Sequence, residues 1–197
     1  MTEPRLAPLA PSDWPEAMQG ALAALRPANP RHAFPPPDPN RPKGLNVLGT
    51  LAHHPELTTA FHTLTGHVLF ASTITPRQRE LLVLRVAHLR GARYEWAQHV
   101  LLAGDAGIEP DEIERVVAGP DAPGWVPLEA ALLRAVDELV ADAEVSDATW
   151  AALSGQLDAQ QLMDVVFTVG TYEVLAMALN SFGVELDADL VRKPASP

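Results

Sequence analysis

Arg77 to Gly107 reads RQRELLVLRVAHLRGARYEWAQHVLLAGDAG, and this stretch decides the fold. Leu81, Leu82, Val83, Leu84, Val86, Ala87 and Leu89 surround nearly the whole circumference of a helix, which predicts an element buried on most sides. Thr75 precedes it as a cap and Pro76 suits its first position, so the helix is expected from Thr75 to Leu89. Gly91 ends it, since glycine takes up the left-handed backbone of a helix C-terminus without strain. A second helix follows from about Arg93 to Ala106 and stops at Gly107. The turn at Gly91 folds the two helices back on each other.

Working outward, the helical period holds from Leu45 onward. Helices are expected near Asn46 to His53, Pro55 to Ala71, Pro110 to Ala118, Leu128 to Ala143, Asp147 to Leu153 behind a Ser146 cap, and Ala159 to Phe182. No strand or hairpin pattern and no internal repeat is present. The fold class is therefore all-α. Ahead of this body one helix is expected at Ser12 to Leu25, with Ser12 or Asp13 as its cap and Pro15 in its first turn. Arg26 to Pro42 then carries seven prolines in 17 residues, a density that no helix or central strand tolerates. It is either an extended arm whose Phe34 lies against another surface, such as that of a second subunit, or a loosely ordered linker. The division expected is residues 1–44 for the N-terminal helix and arm, and 45–190 for the helical domain.

Composition narrows the function. Asp plus Glu is 25 against 14 Lys plus Arg, a net charge of −11, which argues against a nucleic-acid partner and against an anionic membrane surface. There is no cysteine, so disulfides, thiolate nucleophiles and iron–sulfur clusters are excluded. The first residues lack the apolar stretch of a signal peptide, and no run is expected to approach the ~20 apolar residues of a membrane span. These points lead to the expectation of a soluble, cytoplasmic protein. The helix after Thr75 and the last helix, with Val165, Val166, Phe167, Val169, Val174, Leu175 and Met177, are apolar nearly all round. A homo-oligomer is expected from them, a tightly packed monomeric core being the alternative.

Three ionisable residues stand out. Glu95 and His99 are four apart on one helix face, where a carboxylate touching an imidazole makes an acid/base unit. Glu80 lies on the preceding apolar helix, where it needs a polar partner or a cavity, and the turn at Gly91 brings it toward His99. The spacing would admit a divalent ion, but HExxH is absent and no second histidine is nearby, so no metal is expected. Arg77, Arg79, Arg85, Arg90 and Arg93 are read chiefly as partners of surplus acids, with Arg85 the best placed to bind an anion. His53 and His54 stand at the helix junction before Pro55, and His53 is carried as a substrate-contact candidate beside a structural hydrogen-bonding role. Tyr172 and Asn180 are read mainly as satisfying buried backbone groups, with pocket lining as the lesser option, and Asp137, Glu138, Asp142 and Glu144 as a solvated face.

The same segment resembles the carboxymuconolactone decarboxylase family, related to the alkyl hydroperoxidase D-like proteins. The superfamily pattern sets a Glu ahead of two cysteines and a His, and its four positions fall here on Glu80, Ala92, Glu95 and His99. Tyr94 to His99, YEWAQH, is similar to the cysteine-free branch of that family, and the blocks at Leu51–Leu57, Gly107–Ile113, Ser146–Leu153 and Val169–Val184 extend the likeness over about Leu45 to Leu186. The resemblance implies an alkyl hydroperoxidase D-like helical domain. It implies a lyase or isomerase without cofactor, acting on a small acidic lactone or another enolisable compound. His99 would deliver a proton, Glu95 orient it and Glu80 adjust its charge, while Tyr94 would donate to the lactone oxygen and Arg85 would grip a carboxylate. Relatives assemble as trimers, hexamers or dimers. A non-catalytic binding or assembly module on the same fold is the alternative; peroxide chemistry is disfavoured without a thiol.

Overall fold

The computed structural model describes residues 4–34 and 41–191, and all regular structure among them is helical. They form two compact units, Ser72–Met177 and the remaining residues on either side of it.

In the first unit, Pro11–Asp13 makes a 3-10 turn and helix α1 spans only Met18–Ala24. This corrects the expected start at Ser12. The residue before a proline is pushed out of the helical region, and Trp14 ahead of Pro15 is accordingly extended, with ψ 132°. Ser12 and Asp13 therefore do not cap α1. Helices α2 (Leu45–Leu51) and α3 (Pro55–Gly66) follow, and α3 widens into a π-helical turn over His67–Ala71. Met18, Ala21 and Ala52 form a small core under Leu9, Trp14, Leu22 and Leu48. Of the proline-rich segment, residues 35–40 lie outside the described residues. The part before them packs on its own chain: Phe34 meets Phe70 with ring centroids 4.4 Å apart, and the Phe70 carbonyl accepts from the amides of Arg31 and His32.

The second unit is built around α4 (Pro76–Leu89). Its start is a capping box: Thr75 Oγ1 accepts from the Gln78 amide, and Gln78 Oε1 accepts from the Thr75 amide. Leu81, Leu82, Val83, Leu84 and Val86 are fully buried, as their sequence pattern requires. Around α4 pack α5 (Arg93–Asp105), α6 (Pro110–Ala118) and α7 (Pro127–Asp142), with α8 (Asp147–Ser154) against α7. Leu81, Leu84, Ala103, Ile108, Val116 and Leu133 form one core, with Trp96 and Val100 packed against it. Helix α9 (Ala159–Phe182) is the longest, and α10 (Ala188–Val191) is a single turn in the first unit.

Two expectations about polarity are corrected. The acids of α7 are not all solvated: Asp137 pairs with Arg85, and Glu138 accepts from Ser146 and Thr149, which ties α7 to the start of α8. Helix α9, by length and composition, would suffice to cross a membrane, contrary to the reading that no run approaches that size. Half of its most apolar stretch is buried within the protein, as in a core helix. Its other side is exposed at Met163, Phe167, Val174 and Met177.

Candidate active site

The turn between α4 and α5 sets the geometry. Gly91 has φ 58°, in the left-handed region. The Ala92 amide donates to Ala87 and the Gly91 amide to His88, the double closure of a Schellman turn. Ala87 and Ala92 then pack together with Ala176 of α9, small side chains that let three helices approach closely. From this fixed corner, α4 carries Glu80 and α5 carries His99 to the same level.

Glu80 is wholly buried and bridges Arg79 and His99. Its Oε1 accepts from Arg79 Nε at 2.8 Å, and its Oε2 lies 2.6 Å from His99 Nδ1. Burial pushes the Glu80 carboxyl up, but the charge of His99, its hydrogen bond and Arg79 outweigh this and hold it below the ordinary value. Glu80 is thus an ionised acceptor. It fixes the proton on His99 Nδ1 and leaves Nε2 to face a second partner. The His99 side chain keeps 8% of its exposure, and its ring stands edge-on to Tyr172 with centroids 4.8 Å apart.

Glu95 does not make the pair with His99 that its spacing predicted. It is 1% exposed, and neither carboxyl oxygen has a hydrogen-bond partner. A glutamate in the first turn of a helix ordinarily turns back to the free amides there, or reaches a cation; this one does neither. Burial, and then the negative charge of Glu173, push its pKa up to about 9. Glu173 is itself held by Arg90, whose Nε and Nη2 both donate to it at 2.7 to 2.9 Å. At neutral pH Glu95 is therefore a carboxylic acid with a proton to give. Tyr172 is held well above the ordinary tyrosine value, by burial first and then by the charges of Glu80 and Glu95, with Arg79 opposing. The phenol thus lies within the field of both acids.

The remaining candidates separate. Tyr94 is 4% exposed, and its hydroxyl lies 3.4 Å from Gln98 Nε2, one turn along α5. Arg85 is not placed to grip a substrate carboxylate. Its Nε and Nη2 donate to the two oxygens of Asp137, and Nη1 donates to the carbonyls of Val116 and Val117, so it caps the end of α6. Gly119, with φ 101°, makes room for it: a Cβ there would stand 3.1 Å from Arg85 Nη2. A cleft of about 420 Å³ lies beside Arg85, Asp121, Arg134 and Asp137, and its lining includes none of Glu80, Glu95 and His99. In the first unit, His53 Nε2 is 2.9 Å from the Ala7 carbonyl, the structural role, while His54 Nδ1 accepts from the Leu57 amide as the cap of α3. Among the described residues no group of three or more His, Asp or Glu is placed to hold a metal ion.

Sequence alone reads Arg79 as a partner of some acid, without saying which, and Tyr172 mainly as a structural group. Arg79 pairs with Glu80, its neighbour in the chain, and Tyr172, a polar residue within the apolar α9, meets the His99 ring.

Comparison with known proteins agrees with this architecture. Residues 55–138 match the carboxymuconolactone decarboxylase family, a stretch that holds Glu80, Glu95 and His99 but not Tyr172, and that is shorter than the likeness expected from sequence. No curated protein matches the chain in sequence. Among solved structures, the debrominase Bmp8 superposes with a TM-score of 0.72 at 14% identity, covering 94% of each chain. A Cys-to-Ala variant of Bmp8, in complex with 2,3,4-tribromopyrrole, superposes with a TM-score of 0.71. An uncharacterized peroxidase-related protein from a Silicibacter species gives 0.68 at 17% identity, covering 85% of this chain and 97% of its own. An alkylhydroperoxidase AhpD core protein from Ralstonia eutropha gives 0.66 at 20% identity, covering 74% and 78%. At these identities the likeness establishes the fold.

Proposed function

We propose that this chain, whose residues 55–138 match the carboxymuconolactone decarboxylase family, is a lyase or isomerase working by proton transfer on a small acidic lactone or a related enolisable compound. The observation that carries this reading is the buried Glu80–His99 contact at 2.6 Å. In a γ-carboxylated butenolide the bond to the carboxylate carbon breaks and carbon dioxide leaves. The electron pair passes into the conjugated ring as a dienolate, so the substrate supplies its own electron sink. A ring carbon then takes a proton, and solvent restores it to the enzyme. His99 delivers that proton from Nε2, with Glu80 rather than Glu95 holding the ring. Glu95, as an acid, donates to the developing oxyanion.

This is tested by mixing purified protein with a γ-carboxybutenolide and following carbon dioxide release and the position of the ring double bond. His99→Ala is expected to slow turnover at least ~100-fold. Undiminished turnover in that variant overturns the reading.

A homo-oligomer accompanies this proposal. Met163, Phe167, Gly170, Val174 and Met177 follow one another along α9 at alternating steps of four and three, the period of a coiled-coil seam, and all five are exposed. The four larger side chains are 54% to 61% exposed, on the order of 400 Å² of apolar surface, as much as a monomer ordinarily leaves bare. That is about half of the ~800 Å² that one partner brings to a stable interface. The occupant that suits a seam of this kind is a second copy, crossing at Gly170 on a two-fold axis where each α9 meets its own equivalent. Phe167→Glu is expected to lower the mass measured by light scattering to that of the monomer. An unchanged oligomer would place the interface elsewhere.

A further inference from the structure

The helical threonines of this chain generally place their hydroxyls on the carbonyl four residues back: Thr59 on Pro55 at 2.9 Å, Thr65 on Phe61 at 2.9 Å and Thr171 on Phe167 at 2.7 Å. Thr168 does not. It is fully buried within α9, the Asp164 carbonyl stands one turn behind it, and yet its Oγ1 has no partner. A buried hydroxyl that makes no bond to the acceptor on its own helix destabilises the protein if nothing meets it.

Its place in the fold indicates what does. Thr168, Tyr172 and Ala176 lie at successive fourth positions, and so on one face of α9. Ala176 packs on Ala87 and Ala92 at the corner of the α4–α5 turn, and Tyr172 meets the His99 ring. Thr168 is one turn further from that corner, along the face that carries Tyr172 and Ala176. The buried side-chain oxygens without partners among the described residues are those of Thr168 and Glu95. Glu80 is occupied by Arg79 and by His99 Nδ1, whereas these oxygens are bound by nothing in the protein.

We propose that Thr168 is a binding residue of the Glu80–Glu95–His99 site, and that its hydroxyl and the Glu95 carboxyl hold the two oxygens of a planar O–C=O group, as in a lactone or an ester enol. This deepens the functional reading above and rests on it for the location of the site. It does not rest on decarboxylation, because an O–C=O group would be held whether or not the carbon beside it reacts.

The probe is the saturated γ-carboxybutyrolactone, which lacks the conjugation needed to lose carbon dioxide. Its binding is measured by calorimetry, together with the melting temperature of the ligand-free protein. The wild type is expected to bind it. Thr168→Val is expected to raise Kd about tenfold while leaving the ligand-free melting temperature unchanged or higher, since the substitution removes no native hydrogen bond. Thr168→Ser is expected to restore affinity, and Thr171→Val, which removes a hydroxyl already satisfied by its own helix, to leave Kd as it was. An unchanged Kd in Thr168→Val overturns the proposal. So does a fall of several degrees in the ligand-free melting temperature, because the hydroxyl would then have a structural partner; so does failure of the wild type to bind the probe. Thr168-dependent binding in a protein that does not turn over the unsaturated lactone would instead sink the catalytic reading and leave this one standing.

Discussion

Glu80→Gln is expected to cost both stability and activity. The substitution preserves size and one acceptor oxygen but removes the charge between Arg79 and His99. Taking one partner from a buried ion pair costs about 3 to 5 kcal/mol, because the remaining charge has neither water nor a counter-ion. The sign with pH is fixed by the lowered Glu80 pKa. A carboxyl that titrates below its unfolded value of 4.5 stabilises the native state above that value, and the contribution is lost as pH falls through the folded pKa. The gap in melting temperature between wild type and Glu80→Gln should therefore be full at pH 7 and close in acid. A gap that is independent of pH would show that Glu80 is not the ionised partner of His99. Activity should fall by about 100-fold or more, since the imidazole loses the ionised acceptor that holds it in place.

Glu95→Gln should separate the two properties. The Glu95 pKa is raised from 4.5 to about 9, so between these values the native state holds a proton that the unfolded chain has released. Stability then falls as pH rises through that window, by on the order of 3 kcal/mol at pH 7. Glutamine has no proton to lose. The variant is expected to show no such slope and to outlast the wild type at pH 8, while losing the acid that would serve the oxyanion. Thermal melts from pH 5 to 9, run beside turnover assays, read both effects. A variant whose stability follows the same pH slope as the wild type would move the titration to another group.

These two carboxyls also show how far the sequence could be read. The Thr75–Gln78 capping box, Pro76 at the first helical position and the left-handed Gly91 are consequences of bonds made within a few residues, and their signals are local. The approach of Glu80 to His99 was legible because a tight turn between two helices leaves little freedom in register. Arg85 was misplaced because apolar neighbours in sequence show that a side chain is buried, not which acceptors surround it; Asp137 and the end of α6 are more than thirty residues away. Trp14 and Pro15 had a local signal that was passed over, since proline suits a first turn and also breaks the residue before it.

The order of residues by itself determined an all-helical chain without thiol chemistry, the buried character of α4 and the identity of its acids and imidazole, because periodicity, capping and composition act over a turn or two. Only the tertiary structure decided which acid holds His99. Glu95 is one turn from His99 along the same helix and leaves it alone, whereas Glu80, on the other arm of the turn, reaches it with Arg79 at its side. The reason is physical: in a buried site the choice of partner is set by which charges can leave water together, and that depends on how the helices pack.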